Sequence, residues 1–134
     1  MTVAILLMTH PGIATALRDT AALALGKLPA PVEILEVDPE ADIDTQIADA
    51  RATLEALARF EGVLICADLY GASPANIARR VLDPERHALV TGVNLPMLIR
   101  CLNYAELPLG ELTEKALEGG LRSIFRAPPL PETP

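Results

Sequence analysis

The chain has 134 residues and a formal net charge of -7, with a sequence pI near 4.7. Its basic clusters do not exceed a pair such as Arg79-Arg80, which argues against a surface for nucleic acid or anionic membrane. The length predicts a single domain over residues 1–126, followed by a proline-rich tail at 127–134 that we expect to be mobile. The apolar run at the amino terminus is too short for a signal peptide or a membrane span, so a cytoplasmic location is expected.

That apolar run, residues 3–8, predicts a buried parallel strand. It shows no polar alternation, so both faces should be covered, as in α/β sheets. The run is followed by His10, and Pro11 and Gly12 then open a helix that should continue to about Lys27. His10 is therefore expected at the carboxyl end of a strand, where open α/β folds bind their ligands.

Strands and helices continue to alternate along the rest of the chain. Further strands are predicted at 32–37, 62–67 and 87–92, and further helices at 42–59, 74–82, from Asn94 onward, and at 111–117. Gly119-Gly120 should end the last helix, leaving residues 121–126 as a strand. With right-handed crossovers, this alternation predicts an α/β fold with a doubly wound parallel sheet in the order 2-1-3-4 and a carboxyl-terminal strand at its edge.

This order brings the ends of the first and third strands together. His10 and Asp68 should then lie within hydrogen-bond reach. A carboxylate bound to one ring nitrogen would fix the tautomer and direction of the imidazole, leaving the other nitrogen free to attack phosphorus. Gly71 and Ser73, with Ser73 as a helix cap, would hold phosphate oxygens through amides and a hydroxyl. Each of these residues also has a purely structural interpretation, as a turn or capping residue.

The two cysteines do not suggest a metal or redox site. Cys66 and Cys101 are far apart in the sequence and lack the CxxC spacing of zinc and dithiol sites. Buried structural thiols are the better interpretation. We expect neither a metal nor a cofactor.

Three segments together carry a family resemblance. They are Thr9-His10 with Gly12 and Ala14 after it, Asp68-x-x-Gly71-x-Ser73-Pro74-x-Asn76, and Thr91-Gly92-Val93-Asn94-Leu95-Pro96-Met97-Leu98. In this order they resemble the enzyme IIA component, mannose family, of the bacterial phosphoenolpyruvate-dependent sugar phosphotransferase system. The resemblance implies a phosphotransferase subunit in which the phosphocarrier protein HPr phosphorylates His10, and His10 passes the group to an enzyme IIB domain.

The resemblance also implies roles for other residues and an assembly. Asp68 matches the acidic partner of the active histidine, and Ser73 matches a serine on the phosphate side. The family forms homodimers in which a carboxyl-terminal strand pairs with the sheet of the partner, and residues 121–126 are the matching segment here. Contact with a membrane would come only through a transporter complex.

Other functions remain open at this stage. The chain could be a phosphocarrier subunit for a dihydroxyacetone kinase, or a regulatory phosphoprotein or ligand-sensing domain outside sugar transport. An acyl phosphate on Asp68, as in receiver domains, would need an acidic Mg²⁺ cluster after the first strand, and Met8-Thr9-His10 supplies none. If Asp68 bonds the Nδ1 atom of His10, the phosphate belongs on Nε2.

Overall fold

The computed structural model describes residues 2–132. Its strands are Ala4–Thr9 (β1), Val32–Glu36 (β2), Val63–Ala67 (β3) and His87–Thr91 (β4). Its helices are Ile13–Leu25 (α1), Ile43–Ala56 (α2), Ser73–Val81 (α3), Leu95–Asn103 (α4) and Leu109–Arg122 (α5). The strands form one parallel sheet in the order β2-β1-β3-β4, as the sequence predicts.

The sheet is covered by helices on both faces. Every residue of β1 is buried, and alternate side chains point to opposite sides of a strand. The odd-numbered apolar residues from Val3 to Leu7 pack with residues of α1, α4 and α5, and the even-numbered residues from Ala4 to Met8 pack with those of α2 and α3. The doubly wound α/β architecture is therefore confirmed.

Two helix starts are capped by a side chain of the preceding residue. The carboxylate of Asp42 accepts a hydrogen bond from the Thr45 amide (3.0 Å) at the start of α2. The side-chain oxygen of Asn94 accepts one from the Met97 amide (2.9 Å) at the start of α4. Both side chains satisfy amides that have no acceptor within their own helix.

The predicted end of the last helix is wrong. Helix α5 continues through Gly119 and Gly120 to Arg122. A Cβ atom on Gly119 would lie 2.6 Å from Cβ of Arg100, and one on Gly120 would lie 2.8 Å from Cε of Met97. The two glycines therefore allow α4 and α5 to pack closely, and this contact outweighs the low helix propensity of glycine.

Gly119→Ala is expected to destabilise the fold relative to Gly110→Ala, a change in the same helix. A Cβ on Gly110 would meet no atom within 4 Å, so only Gly119→Ala forces the helices apart. Overpacking of this kind costs about 1–3 kcal/mol. Thermal and urea unfolding of the two variants would measure the difference, and equal unfolding free energies would contradict the packing role.

The carboxyl-terminal strand predicted at 121–126 does not form within the single chain. Leu121 and Arg122 belong to α5, and residues 123–132 contain neither helix nor strand. A strand needs a neighbour to satisfy its backbone groups, and none of the described residues pairs with the outer edge of β4. The mobility of the tail at 127–134 stays a prediction; Met1 and residues 133–134 lie outside the described residues.

Cys66 and Cys101 meet in the core, although they are 35 positions apart in the sequence. Both are fully buried. A hydrogen bond with Cys101 and burial raise the pKa of the Cys66 thiol well above its usual value. Unreactive structural thiols of this kind agree with the interpretation drawn from the sequence. Across residues 2–132, no helix has both the length and the apolar character needed to cross a membrane.

Candidate functional site

The candidate site lies where β1 and β3 end side by side. Met8 of β1 is opposite Ala67 of β3 in the parallel register, and the two strands are neighbours although a helix, a strand and a second helix separate them in the chain. His10 and Asp68 follow directly at this edge. Ligands of doubly wound folds bind at such a switch point.

His10 and Asp68 are joined by two contacts to a single oxygen. Oδ2 of Asp68 accepts a hydrogen bond from the backbone N–H of His10 (3.0 Å) and lies 2.7 Å from ring atom Nδ1. The histidine side chain is 32% exposed and the aspartate side chain 11%. Because an ionised carboxylate can only accept, Nδ1 is the donor in this contact, and in the neutral ring the lone pair is then on Nε2.

The electrostatics of Asp68 favour the ionised form. Burial would raise the pKa of its carboxyl, but the hydrogen bonds from the backbone and ring of His10 outweigh burial and hold the pKa below its usual value. The second oxygen, Oδ1, is buried and accepts no hydrogen bond from the described residues. Among the described residues, the carboxylate of Asp68 therefore contacts His10 through Oδ2 alone.

Thr9 fixes the turn that carries His10, and sequence reasoning missed it. Its buried hydroxyl donates to the His10 carbonyl (2.8 Å) and accepts from the Ala14 amide (2.9 Å). The turn passes through Gly12, whose φ of +90° favours glycine. A threonine at the end of an apolar strand was the available signal, because a buried hydroxyl needs a partner.

Gly71 and Ser73 lie in the next turn and at the start of α3. Gly71 has a φ of +88°, as a tight turn requires. Ser73 is not the helix cap, contrary to expectation: Ala72 occupies that position without a side-chain bond, and Ser73 is the first helical residue. Among the described residues, the amides of Ser73 and Ala75 find no acceptor. The start of α3 thus retains two free donors.

Neither Gly71 nor Ser73 is hydrogen-bonded to His10 or Asp68 in the part of the chain that the structure describes. Ser73 instead lines a cavity of about 260 Å³ between α2 and α3, together with Ile43, Ile47, Asn76, Ile77 and Arg80. The geometry therefore brings two of the four predicted site residues, His10 and Asp68, into contact and leaves Gly71 and Ser73 without a hydrogen bond to them.

Glu36 is a second carboxylate at this edge, and sequence reasoning missed it as well. It ends β2 and lies opposite Thr9 in the register. Its Oε2 atom accepts a hydrogen bond from the Thr15 amide in α1 (3.0 Å). The available signal was the predicted order, because β2 neighbours β1 and must end at the same edge.

Sequence comparisons relate the chain to one family of proteins. Residues 4–117 match the EIIA-man family model, described as the PTS system fructose IIA component. The chain is 38% identical over 127 residues to the PTS system mannose-specific EIIAB component of Escherichia coli strain K12. This match covers 92% of the chain but only 39% of that relative, so the chain spans well under half of its length.

Structural comparisons show the same fold in solved proteins. The mannose/sorbose specific IIA subunit of the phosphotransferase system from Enterococcus faecalis aligns over 100% of both chains, with a TM-score of 0.83 and 23% identity. The PTS IIA protein associated with the fucose utilization operon from Streptococcus pneumoniae has a TM-score of 0.78 and 24% identity. That alignment covers 94% of this chain and 93% of the other.

Proposed function

This chain belongs to the EIIA-man family, and from that premise we propose that it is a phosphoryl carrier whose acceptor is His10. The observation that carries the proposal is the 2.7 Å contact between Nδ1 of His10 and Oδ2 of Asp68. This contact selects the tautomer in which Nε2 is the free nucleophile. The phosphoryl group would therefore be bound at Nε2.

The transfer step depends on the orientation of the nucleophile and on the balance of charge more than on proton transfer. The lone pair on Nε2 of His10 attacks the phosphorus of a donor phosphohistidine. A new N–P bond forms while the donor's N–P bond breaks, and the electron pair of the broken bond returns to the donor's ring nitrogen. The proton stays on Nδ1, and the carboxylate of Asp68 balances the positive charge that the phosphorylated ring acquires.

Phosphate oxygens would be held by the turn and helix that follow Asp68. Gly71 allows close approach of the backbone, and the hydroxyl of Ser73 with the free amides of Ser73 and Ala75 supplies donors. A helix start also carries about half a positive charge. Dipoles of this kind stabilise a phosphoryl group that has to be passed on.

The partners follow from the family. We propose HPr as the donor and a histidine of an enzyme IIB domain as the acceptor, with the reaction in the cytoplasm. Sugar uptake and regulation would use the same phosphoryl relay, so one biochemical test addresses both.

The test uses the purified wild-type chain with radiolabelled phosphoenolpyruvate, enzyme I and HPr. Acid-labile, alkali-stable label on the chain is expected, since phosphohistidine has that stability. An unlabelled chain in a reaction where HPr itself is labelled would overturn the proposal. Chase of the label onto an enzyme IIB domain would then test the second transfer.

We also propose a homodimer, built on the outer edge of β4 and residues 121–126. Leu121, Ile124 and Phe125 are 70%, 74% and 71% exposed. Two of them line an apolar cavity of about 280 Å³ beside β4, with Thr91, Gly92, Asn94, Met97, Leu117 and Gly120. An open strand edge next to exposed apolar side chains is suited to pairing with a segment from a second copy.

The double variant Ile124→Ser/Phe125→Ser is expected to weaken the dimer at least tenfold, since each lost apolar contact contributes about 1.5–3 kcal/mol when fully buried. Sedimentation equilibrium or light scattering over a concentration series would measure the change. Leu130→Ser, in the exposed tail, is the control and should leave association unchanged. A double variant that dimerises like wild type would contradict this interface.

A further inference from the structure

The start of α1 has a cap supplied by another strand. Its own N-cap residue is Gly12, which has no side chain to bond with. The carboxylate of Glu36 accepts the Thr15 amide at 3.0 Å. This bond lowers the pKa of Glu36 against the opposing effect of burial.

The remaining amides at this helix end also have acceptors. The Ala14 amide donates to the hydroxyl of Thr9 (2.9 Å), and the Ile13 amide donates to the carbonyl of His10 at the longer distance of 3.4 Å. The first helical bond then runs from the Ala16 amide to the Gly12 carbonyl. The amides of Ile13, Ala14 and Thr15, the first three of the helix, are therefore all satisfied.

We propose that Glu36 is a positioning residue of the transfer site: it closes the start of α1, so that a phosphoryl group on His10 cannot be bound by this helix. The inference rests on the proposed phosphorylation of His10. His10 lies two residues before the N-cap of α1, where an open helix start would attract phosphate through its amides and its dipole. A carboxylate in that place occupies the donors and repels a second anion.

The consequence is a phosphoryl group that is less strongly bound and more easily passed on. Asp68 holds the ring from the β3 side through Oδ2, and Glu36 secures the turn from the β2 side, where it lies opposite Thr9. The phosphoryl group would instead be bound at the start of α3, where the amides of Ser73 and Ala75 have no acceptor among the described residues. The two helix ends thus have different roles.

The decisive variant is Glu36→Gln, which keeps an accepting oxygen for the Thr15 amide and removes the charge. The equilibrium of phosphoryl exchange with HPr should shift toward phosphorylated chain by about threefold to tenfold, as expected for one removed charge near the surface. Added salt should reduce the shift. The half-life of the phosphorylated variant should lengthen in parallel.

Glu33→Gln is the matched control, because it removes the same charge from an exposed position on the same strand. It should leave the exchange equilibrium at the wild-type value. If Glu36→Gln behaves like Glu33→Gln, the inference is overturned while the carrier function stands. If the wild-type chain takes no label from HPr, the proposed function itself fails and the inference fails with it.

A second measurement needs no variant. In ¹⁵N-labelled wild-type chain, phosphorylation should leave the amide resonance of Thr15 nearly unchanged, since its acceptor is already Glu36. A large downfield shift of the Thr15 amide on phosphorylation would show that phosphate replaces Glu36 at this helix end. That result would also overturn the inference.

Discussion

Replacing His10 with asparagine should abolish phosphorylation of the chain by HPr, whereas the same replacement at His87 should leave it intact. The sequence has two histidines, and a phosphohistidine forms only on an imidazole nitrogen with a free lone pair. The amide of an asparagine at position 10 can still donate to Asp68, so the fold should survive. Label transfer from phosphoenolpyruvate through enzyme I and HPr measures the outcome.

His87 is a suitable control because its ring has a structural bond of its own. It starts β4, at the opposite end of the sheet from His10, and its Nδ1 accepts the Asp83 amide at 2.9 Å. Burial lowers the pKa of His87, which favours the neutral ring that can accept this bond. The oxygen of an asparagine can accept it too. Undiminished label in His10→Asn, or its loss only in His87→Asn, would reject His10 as the acceptor.

The sheet could be predicted because its determinants are local in the sequence. The apolar runs ending at Met8 and Ala67 are too uniform for a half-exposed strand, and crossover rules then leave few strand orders. The contact between His10 and Asp68 follows from that order alone. To predict this contact, the ends of the two strands only had to be located to within one or two residues.

The parts that were missed depend on partners distant in the sequence. Gly119 and Gly120 are helix breakers by propensity, and only the packing of Arg100 and Met97 against them explains why α5 continues. Glu36 caps helix α1 through Thr15, which lies 21 positions earlier in the sequence. Local capping patterns do not include a cap from a neighbouring strand.

Asp68→Asn should fold like the wild-type chain but accept the phosphoryl group on the order of a hundredfold more slowly, the size of effect that poor aim produces. The amide oxygen can still accept the His10 backbone N–H. The charge that balances the phosphorylated ring is lost, however, and the amide's N–H₂ group can face Nδ1 and favour the wrong tautomer.

Single-turnover transfer from phosphorylated HPr would measure this rate, and ¹⁵N shifts of the His10 ring would report its tautomer. Asp49→Asn removes the same charge from an exposed position on α2 and should transfer at the wild-type rate. If Asp68→Asn matched Asp49→Asn in rate while its ring kept the Nδ1–H tautomer, the carboxylate would have no orienting role. If Asp68 orients the ring, Asp68→Asn should show both a slow transfer rate and a mixture of tautomers. The reason is that the 2.7 Å contact between Nδ1 of His10 and Oδ2 of Asp68 restrains the ring itself.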